Sequence, residues 1–223
     1  MAKKAGKEVT TVREHPMHVP VSQKNPDGIT TRDRHLRRLK GTYLDATEIE
    51  VIFKNYARKN ITYPAKKKLN QPNSDKYDEI IAVWCDYFNK RFNSQPPLDL
   101  NVVKALIASE SDFREDPPRN PKATGIAQIT PDTHRIVQDP AGEVKDFIFK
   151  DIRKKDLKDP SIAIPIAVRW LSRKKRLAEG KLGRAANAEE IILEYKGLLK
   201  SKSEFKSKAL VKFRKEYGLL TKK

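Results

Sequence analysis

The chain has 223 residues, of which 38% are hydrophobic and 34% charged, and its 47 lysines and arginines exceed its 29 acidic residues by 18. Against globular norms of roughly 45–50% apolar and about 25% charged, this is one ordinary domain or a domain with a tail, large enough to bury a core. Its basic surface suits a polyanion: nucleic acid, anionic lipid or an acidic wall polymer.

A single cysteine, Cys85, excludes an intrachain disulfide and a cysteine-based zinc site. No stretch approaches the ~20 apolar residues of a membrane span. The basic start, Met1 to Glu8, has no apolar segment behind it. The expectation is synthesis in the cytoplasm without Sec export, with any action on a wall following lysis, injection or secretion.

Residues 1–44 show little periodicity. Pro16, Pro20 and Pro26 with Asp27-Gly28 read as extended segments and turns, and a basic cluster (Arg32, Arg34, His35, Arg37, Arg38, Lys40) follows. This reads as a basic arm, extended or partly disordered. Residues 45–97 read as a helical subdomain. Asp45 and Glu48 have capping-box spacing ahead of a helix over 45–57 with the stripe Ile49, Ile52, Phe53, Tyr56. Pro64, Pro72 and Lys66-Lys67-Lys68 mark a connection. Tyr77, Ile80, Ile81, Trp84, Phe88 and Phe92 predict an amphipathic helix over 75–92, with Cys85 an inert buried thiol.

A further helix is expected from Asp99 to Ser111, and Pro117, Pro118 and Pro121 forbid its continuation. Thr130-Pro131 and Asp159-Pro160 are both start signals. Behind the second, Ile162–Leu177 is apolar on more than one side and predicts a central helix bent near Pro165. Asn187 with Glu190 caps a helix containing Ile191, Ile192 and Tyr195. The last helix, about 203–219, carries Phe205, Ala209, Phe213 and Tyr217 at four-residue steps against a basic face. Strands are scarce and the class is mainly α, with 201–223 a basic amphipathic C-terminal helix.

Glu110 is the anomaly. It lies three residues beyond Ile107 and four beyond Leu106, on the apolar stripe that Val102 and Val103 begin. An unpaired carboxylate there is costly if ionised and tends to stay protonated, which is what a general acid needs. The alternative is a helix end where the stripe meets solvent.

Ala108-Ser109-Glu110-Ser111-Asp112-Phe113, followed by Gly125-Ile126-Ala127-Gln128-Ile129-Thr130-Pro131, resembles the transglycosylase SLT and goose-type lysozyme superfamily. That family has a Glu-Ser at a helix end and a Gly-x-x-Gln-[Ile/Val] turn about fifteen residues later. Asp159-Pro160 with Trp170-Leu171 is similar to its Asp-Pro…Tyr-Leu helix, and Glu194-Tyr195-Lys196-Gly197 to its Ala-Tyr-Asn-x-Gly segment. The resemblance covers roughly residues 98–200. Lys196 stands where the family usually has asparagine, Gly197 arrives one position early, and Ala163 replaces a common asparagine.

The resemblance implies an α+β lysozyme-like fold around a long central helix, with a cleft for peptidoglycan. It implies cleavage of the β-1,4 bond between N-acetylmuramic acid and N-acetylglucosamine, with Glu110 as acid and base. It also implies substrate contacts from Ser111, Gln128, Ile129 and Tyr195, with Gly125 supplying a backbone angle or a close approach. The bland readings stand beside these: Ser111 capping its helix, Gln128 bridging backbone in its turn, and Tyr195, Phe113 and Trp170 as core. A transglycosylase needs no second carboxylate, because the substrate's acetamido group can stabilise the cationic centre. A hydrolase would need one, and Asp112, Glu115, Asp116, Asp132 and Glu194 are the candidates.

No cofactor or metal is expected. His15 and His18 have His-x-x-His spacing without further ligands. Besides peptidoglycan, the partners considered are an anionic membrane or wall polymer along the C-terminal helix, a delivery machinery and an immunity protein. The competing classes are a non-catalytic peptidoglycan-binding module and a nucleic-acid-binding protein. The latter has the charge but no helix-turn-helix, zinc-finger or RNA-binding signature, so no specific nucleic acid is expected.

Overall fold

The computed structural model describes residues 9–12, 15–18, 29–32, 35–38, 43–56, 60–117 and 122–222. It divides the chain into two compact units, Met1–Tyr43 and Leu44–Lys223. In the first, β1 (Val9–Val12) pairs antiparallel with β4 (His35–Arg38), and β2 (His15–His18) with β3 (Ile29–Arg32). Val9 faces Arg38 and His15 faces Arg32, the same offset, so one hairpin register runs through both ladders. The side chains of His15 and His18, and the rest of the arm expected over 1–44, lie outside the described residues. So do Pro118 and Pro121.

The second unit is built from helices. Leu44, at the end of β5 (Tyr43–Leu44), accepts a backbone hydrogen bond from Lys150, just beyond β6 (Ile148–Phe149). Asp45 and Glu48 then cap α1 (Ala46–Tyr56) reciprocally: the Glu48 N–H donates to Asp45 Oδ1 at 2.8 Å and the Asp45 N–H to Glu48 Oε2 at 3.1 Å. Such a cap contributes about 1 kcal/mol. The following helix starts later than its pattern suggests: α2 spans Asp78–Arg91, with Tyr77 as N-cap. Asp75 is committed elsewhere, accepting from the Lys67 backbone N–H and from Lys104. Ile81, Trp84 and Phe88 are buried on α2, and so is Cys85, whose thiol burial pushes well above its ordinary range.

Three further helices begin where short polar side chains cap them. Asp99 caps α3 (Leu100–Ser111), Thr130 caps α4 (Pro131–Gln138), and Asp159 caps α5 (Pro160–Leu182) behind the short 3-10 turn Lys154–Lys158. Helix α5 runs on through Pro165, whose missing N–H leaves the Ser161 carbonyl without an intrahelical partner. Its buried side chains include Ile162, Ile164, Ile166, Val168, Trp170 and Leu171, and it packs against α1, α2, α4 and α6 (Ala188–Tyr195). Asn187 and Glu190 form the second reciprocal cap, at the start of α6.

Helix α7 (Ser203–Thr221) packs on α3. This corrects the reading of its stripe. Leu210, Phe213 and Leu220 are buried, whereas Phe205 is 58% exposed and outside the core. The three- and four-residue steps from 210 to 220 define the packed face, and Phe205 sits before it. Because α7 covers the outer side of α3, residues 102–108 of α3 are buried on every side.

One consequence is a fully buried ammonium. Lys104 Nζ donates to Asp75 Oδ1 at 2.7 Å, to Asp78 Oδ2 at 3.0 Å and to the Ala65 carbonyl at 2.9 Å. Burial pushes the Asp78 carboxyl up, and Lys104 only partly offsets it. Burial acts the same way on Asp75, but the bonds from Lys104 and the Lys67 N–H outweigh it and hold that carboxyl low. The connection over residues 60–77 is thereby fastened to α3. Arg169 does the same for the segment before β6. It is buried over the Phe92 ring, donating to the Phe147 carbonyl at 3.1 Å and to Asp146 at 2.5 Å. Burial lowers this guanidinium to about 10, against the opposing pull of Asp146.

Removing one partner of a buried ionic cluster strands the rest. Lys104→Met is therefore expected to cost about 3–5 kcal/mol, read as a lower urea midpoint. A loss under about 1 kcal/mol would contradict this role for Lys104.

Candidate active site

Glu110 sits in the last turn of α3. A helix C-terminus carries partial negative charge from its unpaired carbonyls, and the last turn of α3 holds no basic residue. The compensating cation comes from another element. Lys196, the C-cap residue of α6, places Nζ 2.5 Å from Glu110 Oε1, across 86 residues of sequence. The Glu110 side chain is 22% exposed and that of Lys196 26%. The apolar wall expected around this carboxylate is thus corrected to an ion pair at a half-buried helix end. The periodic stripe failed to show it because the cation belongs to a distant helix.

Beyond Glu110 the chain turns sharply. Asp112 and Phe113 both have positive φ, 52° and 61°, a conformation that side chains other than Gly, Asn and Asp seldom adopt. The Asp112 N–H donates to the Ala108 carbonyl, closing the helix. The turn folds Phe113 back onto Tyr77, with rings stacked at 6.5 Å and both buried. Phe113 is core here. So is Trp170, with Lys174 Nζ 4.0 Å above its ring.

The Gly125-Ile126-Ala127-Gln128 segment is a closed turn. Thr124 and Ile129 exchange two backbone hydrogen bonds, each 3.0 Å, and the Gln128 N–H donates to the Gly125 carbonyl at 3.0 Å. Gly125 has φ +73°, and a Cβ there would lie 1.9 Å from the Leu157 carbonyl oxygen. Glycine answers both constraints at once. Gln128 is buried, has φ 47°, and donates from Nε2 to the same Gly125 carbonyl at 3.0 Å. Ile129 is buried in the core. Ser111 is buried and donates to the Ile107 carbonyl at 3.1 Å. In this structure, then, Ser111 and Gln128 both satisfy their own backbones.

The end of α6 joins the two halves of the site. Lys196 holds Glu110, while the hydroxyl of the neighbouring Tyr195 donates weakly, at 3.5 Å, to the carbonyl of Ala127, the residue before Gln128. Burial first, and then the charge of Glu110, pushes the Tyr195 phenol above its ordinary range. The phenol therefore stays protonated, a donor beside the acid.

The five other carboxylates lie elsewhere. Glu115 accepts from the Tyr77 hydroxyl at 2.7 Å and from Lys76 at 3.1 Å, and these two bonds hold its carboxyl low. Asp116 pairs with Lys158 at 3.2 Å, and Asp132 approaches Arg135 at 3.9 Å on the surface. Glu194 is buried against Lys181 at 2.6 Å. Asp112 is the helix C-cap. A hollow of about 280 Å³ adjoins the end of α3, lined by Lys76, Tyr77, Asp112, Phe113, Arg114 and Glu115 among others. A larger one, about 590 Å³, lies between α1, α2 and the start of α5, and its walls include neither Glu110 nor Gln128. Among the described residues no cluster of three or more His, Cys, Asp and Glu side chains has metal-binding geometry.

The transglycosylase SLT domain matches residues 87–208, more than half of the chain. The chain belongs to this family, which implies peptidoglycan as substrate and lytic transglycosylase activity in general. No curated protein and no solved structure matches it. The matched span begins within α2 and ends in α7. It therefore takes in the Glu110 helix, the Gly125 turn, α5 and the Tyr195-Lys196 end of α6.

Sequence reasoning missed Lys196 as a contact of Glu110. Its departure from the family's asparagine was the only available signal. Gly125→Ala should fold poorly, because its Cβ meets backbone rather than a movable side chain. The expected loss is at least about 2 kcal/mol, measured by urea unfolding. An unchanged midpoint would show that the turn is not built as described.

Proposed function

We propose that this protein is a lytic transglycosylase in which Glu110 acts as both general acid and general base. The observation that carries the reading is the position of Glu110: partly exposed at the end of α3, with its carboxylate fixed from α6 opposite the glycine turn. Protonated Glu110 would give its proton to the glycosidic oxygen as the bond to C1 of N-acetylmuramic acid breaks. The bonding pair leaves with that oxygen, and the substrate's acetamido oxygen closes on C1 to spread the positive charge. The muramoyl 6-hydroxyl then attacks C1, the acetamido oxygen departs, and Glu110, now a carboxylate, takes the hydroxyl proton. A 1,6-anhydro end results and no water is consumed.

The paired carboxylates support this sequence over hydrolysis. Glu115, Asp116, Asp132 and Glu194 each have a cationic partner, and none is recorded against Glu110. An inverting hydrolase needs a second carboxylate about 6.5–9.5 Å from the acid to activate water. Glu110→Gln should retain the fold and lose at least about 100-fold in solubilisation of purified peptidoglycan. Wild-type activity in a folded Glu110→Gln protein would overturn the assignment.

A second reading concerns the surface of α7. Phe205 is 58% and Val211 64% exposed, on a helix that also exposes Lys202, Lys208, Lys212 and Lys215. Apolar side chains among lysines suit an anionic lipid surface. Truncating α7 would strip Leu210, Phe213 and Leu220 from the core, so surface substitution is the cleaner test. Lys208→Glu with Lys212→Glu is expected to reduce binding to phosphatidylglycerol vesicles at low salt about tenfold or more without changing thermal stability. Equal binding of variant and wild type would rule this surface out.

A further inference from the structure

We propose that Lys196 is a positioning residue that sets the acid strength of Glu110, giving this chain a faster proton-transfer step over a more acidic working range. The inference rests on Glu110 being the acid. Its basis is the geometry of one pair. The Lys196 ammonium is 2.5 Å from Glu110 Oε1, and both side chains are about three-quarters buried.

This is not a bond between neighbours on one helix. The end of α6 delivers the cation to the end of α3, and α6 is itself held at several points. Glu190 and Asn187 cap its start, Glu189 takes two 2.7 Å bonds from Arg214 of α7, and Glu194 is buried against Lys181 of α5. Facing the carboxylate from the α6 side are Lys196 and the protonated Tyr195 phenol. Asp112, two residues on, is the nearby charge on its own segment, and the Gly125 turn presents the uncharged Gln128.

A full charge and a neutral donor act differently on a carboxyl that must both give and take a proton. As Glu110 passes its proton to the leaving oxygen, negative charge develops on the carboxylate, and an ammonium at hydrogen-bond distance stabilises that charge. The step is therefore faster for each protonated Glu110. The same ammonium favours the ionised form in the empty cleft, so a smaller fraction of molecules holds the proton as pH rises. An asparagine, which stands at this position in the family pattern, would donate a hydrogen bond without the charge and make neither effect.

Two opposed changes follow in Lys196→Asn. The alkaline limb of its pH–rate profile should move up by about one pH unit, while its low-pH plateau falls by about three- to tenfold. Lys196→Arg keeps the charge and should keep the wild-type limb. Lys196→Gln, a second neutral donor, should reproduce the asparagine profile. A purely structural contact would lower the rate at every pH and leave the limb in place.

The experiment measures peptidoglycan solubilisation from about pH 4 to 9 for the wild type, these three variants and Glu110→Gln. It is paired with carbon-13 NMR titration of the Glu110 carboxyl, which needs no activity. Opposed movement of limb and plateau, with a matching displacement of the NMR titration, supports the proposal. Coincident limbs and titrations in wild type and Lys196→Asn, with Glu110→Gln inactive, overturn it and leave the transglycosylase reading standing. An active Glu110→Gln overturns both.

Discussion

A carboxylate at the carboxyl end of a helix sits against the grain of that helix's charge. Its presence at the end of α3 depends on a cation from outside, and Lys196 at the end of α6 supplies it. Much of the second unit can be read as what makes that meeting possible. Helix α5 provides the buried surface on which α6 packs, and α7 both covers α3 and grips α6 through Arg214 and Glu189. The family match, from within α2 into α7, spans these elements together. The site is one product of the packing rather than a motif laid on a finished scaffold.

Glycine at 125 shows how tightly site and fold are joined. Its left-handed backbone shapes the turn that carries Ala127 and Gln128, and its missing Cβ lets the Leu157 carbonyl approach. Leu157 belongs to the 3-10 turn that leads into α5. The wall facing Glu110 is consequently set by the same contact that seats the central helix. Ser111 and Gln128 spend their hydrogen bonds on nearby carbonyls, stiffening the two segments that the family motif marks.

What was legible in the sequence was local. Asp45 with Glu48 and Asn187 with Glu190 announced their caps because both partners lie three residues apart. Thr130-Pro131 and Asp159-Pro160 announced helix starts for the same reason. Glu110 and the glycine turn could be read from their residue types and order, and the resemblance pointed to the family that the match to residues 87–208 shows. The illegible features all needed a partner far along the chain. Lys104 reads as a solvent-facing lysine until Asp75, Asp78 and the Ala65 carbonyl are brought to it. Arg169 reads as the polar side of α5 until the segment before β6 folds over it. Phe205 failed in the opposite direction: a four-residue step suggested a packed face, but packing on α3 begins only at Leu210.

The account stands on a single acid that needs no second carboxylate, and its products report on that claim. Mass spectrometry of fragments released from purified peptidoglycan by the wild-type protein should show 1,6-anhydro-N-acetylmuramic acid ends. Reducing N-acetylmuramic acid ends, each heavier by one water, would mean that a water molecule attacks instead and would contradict the mechanism derived from Glu110 and its surroundings.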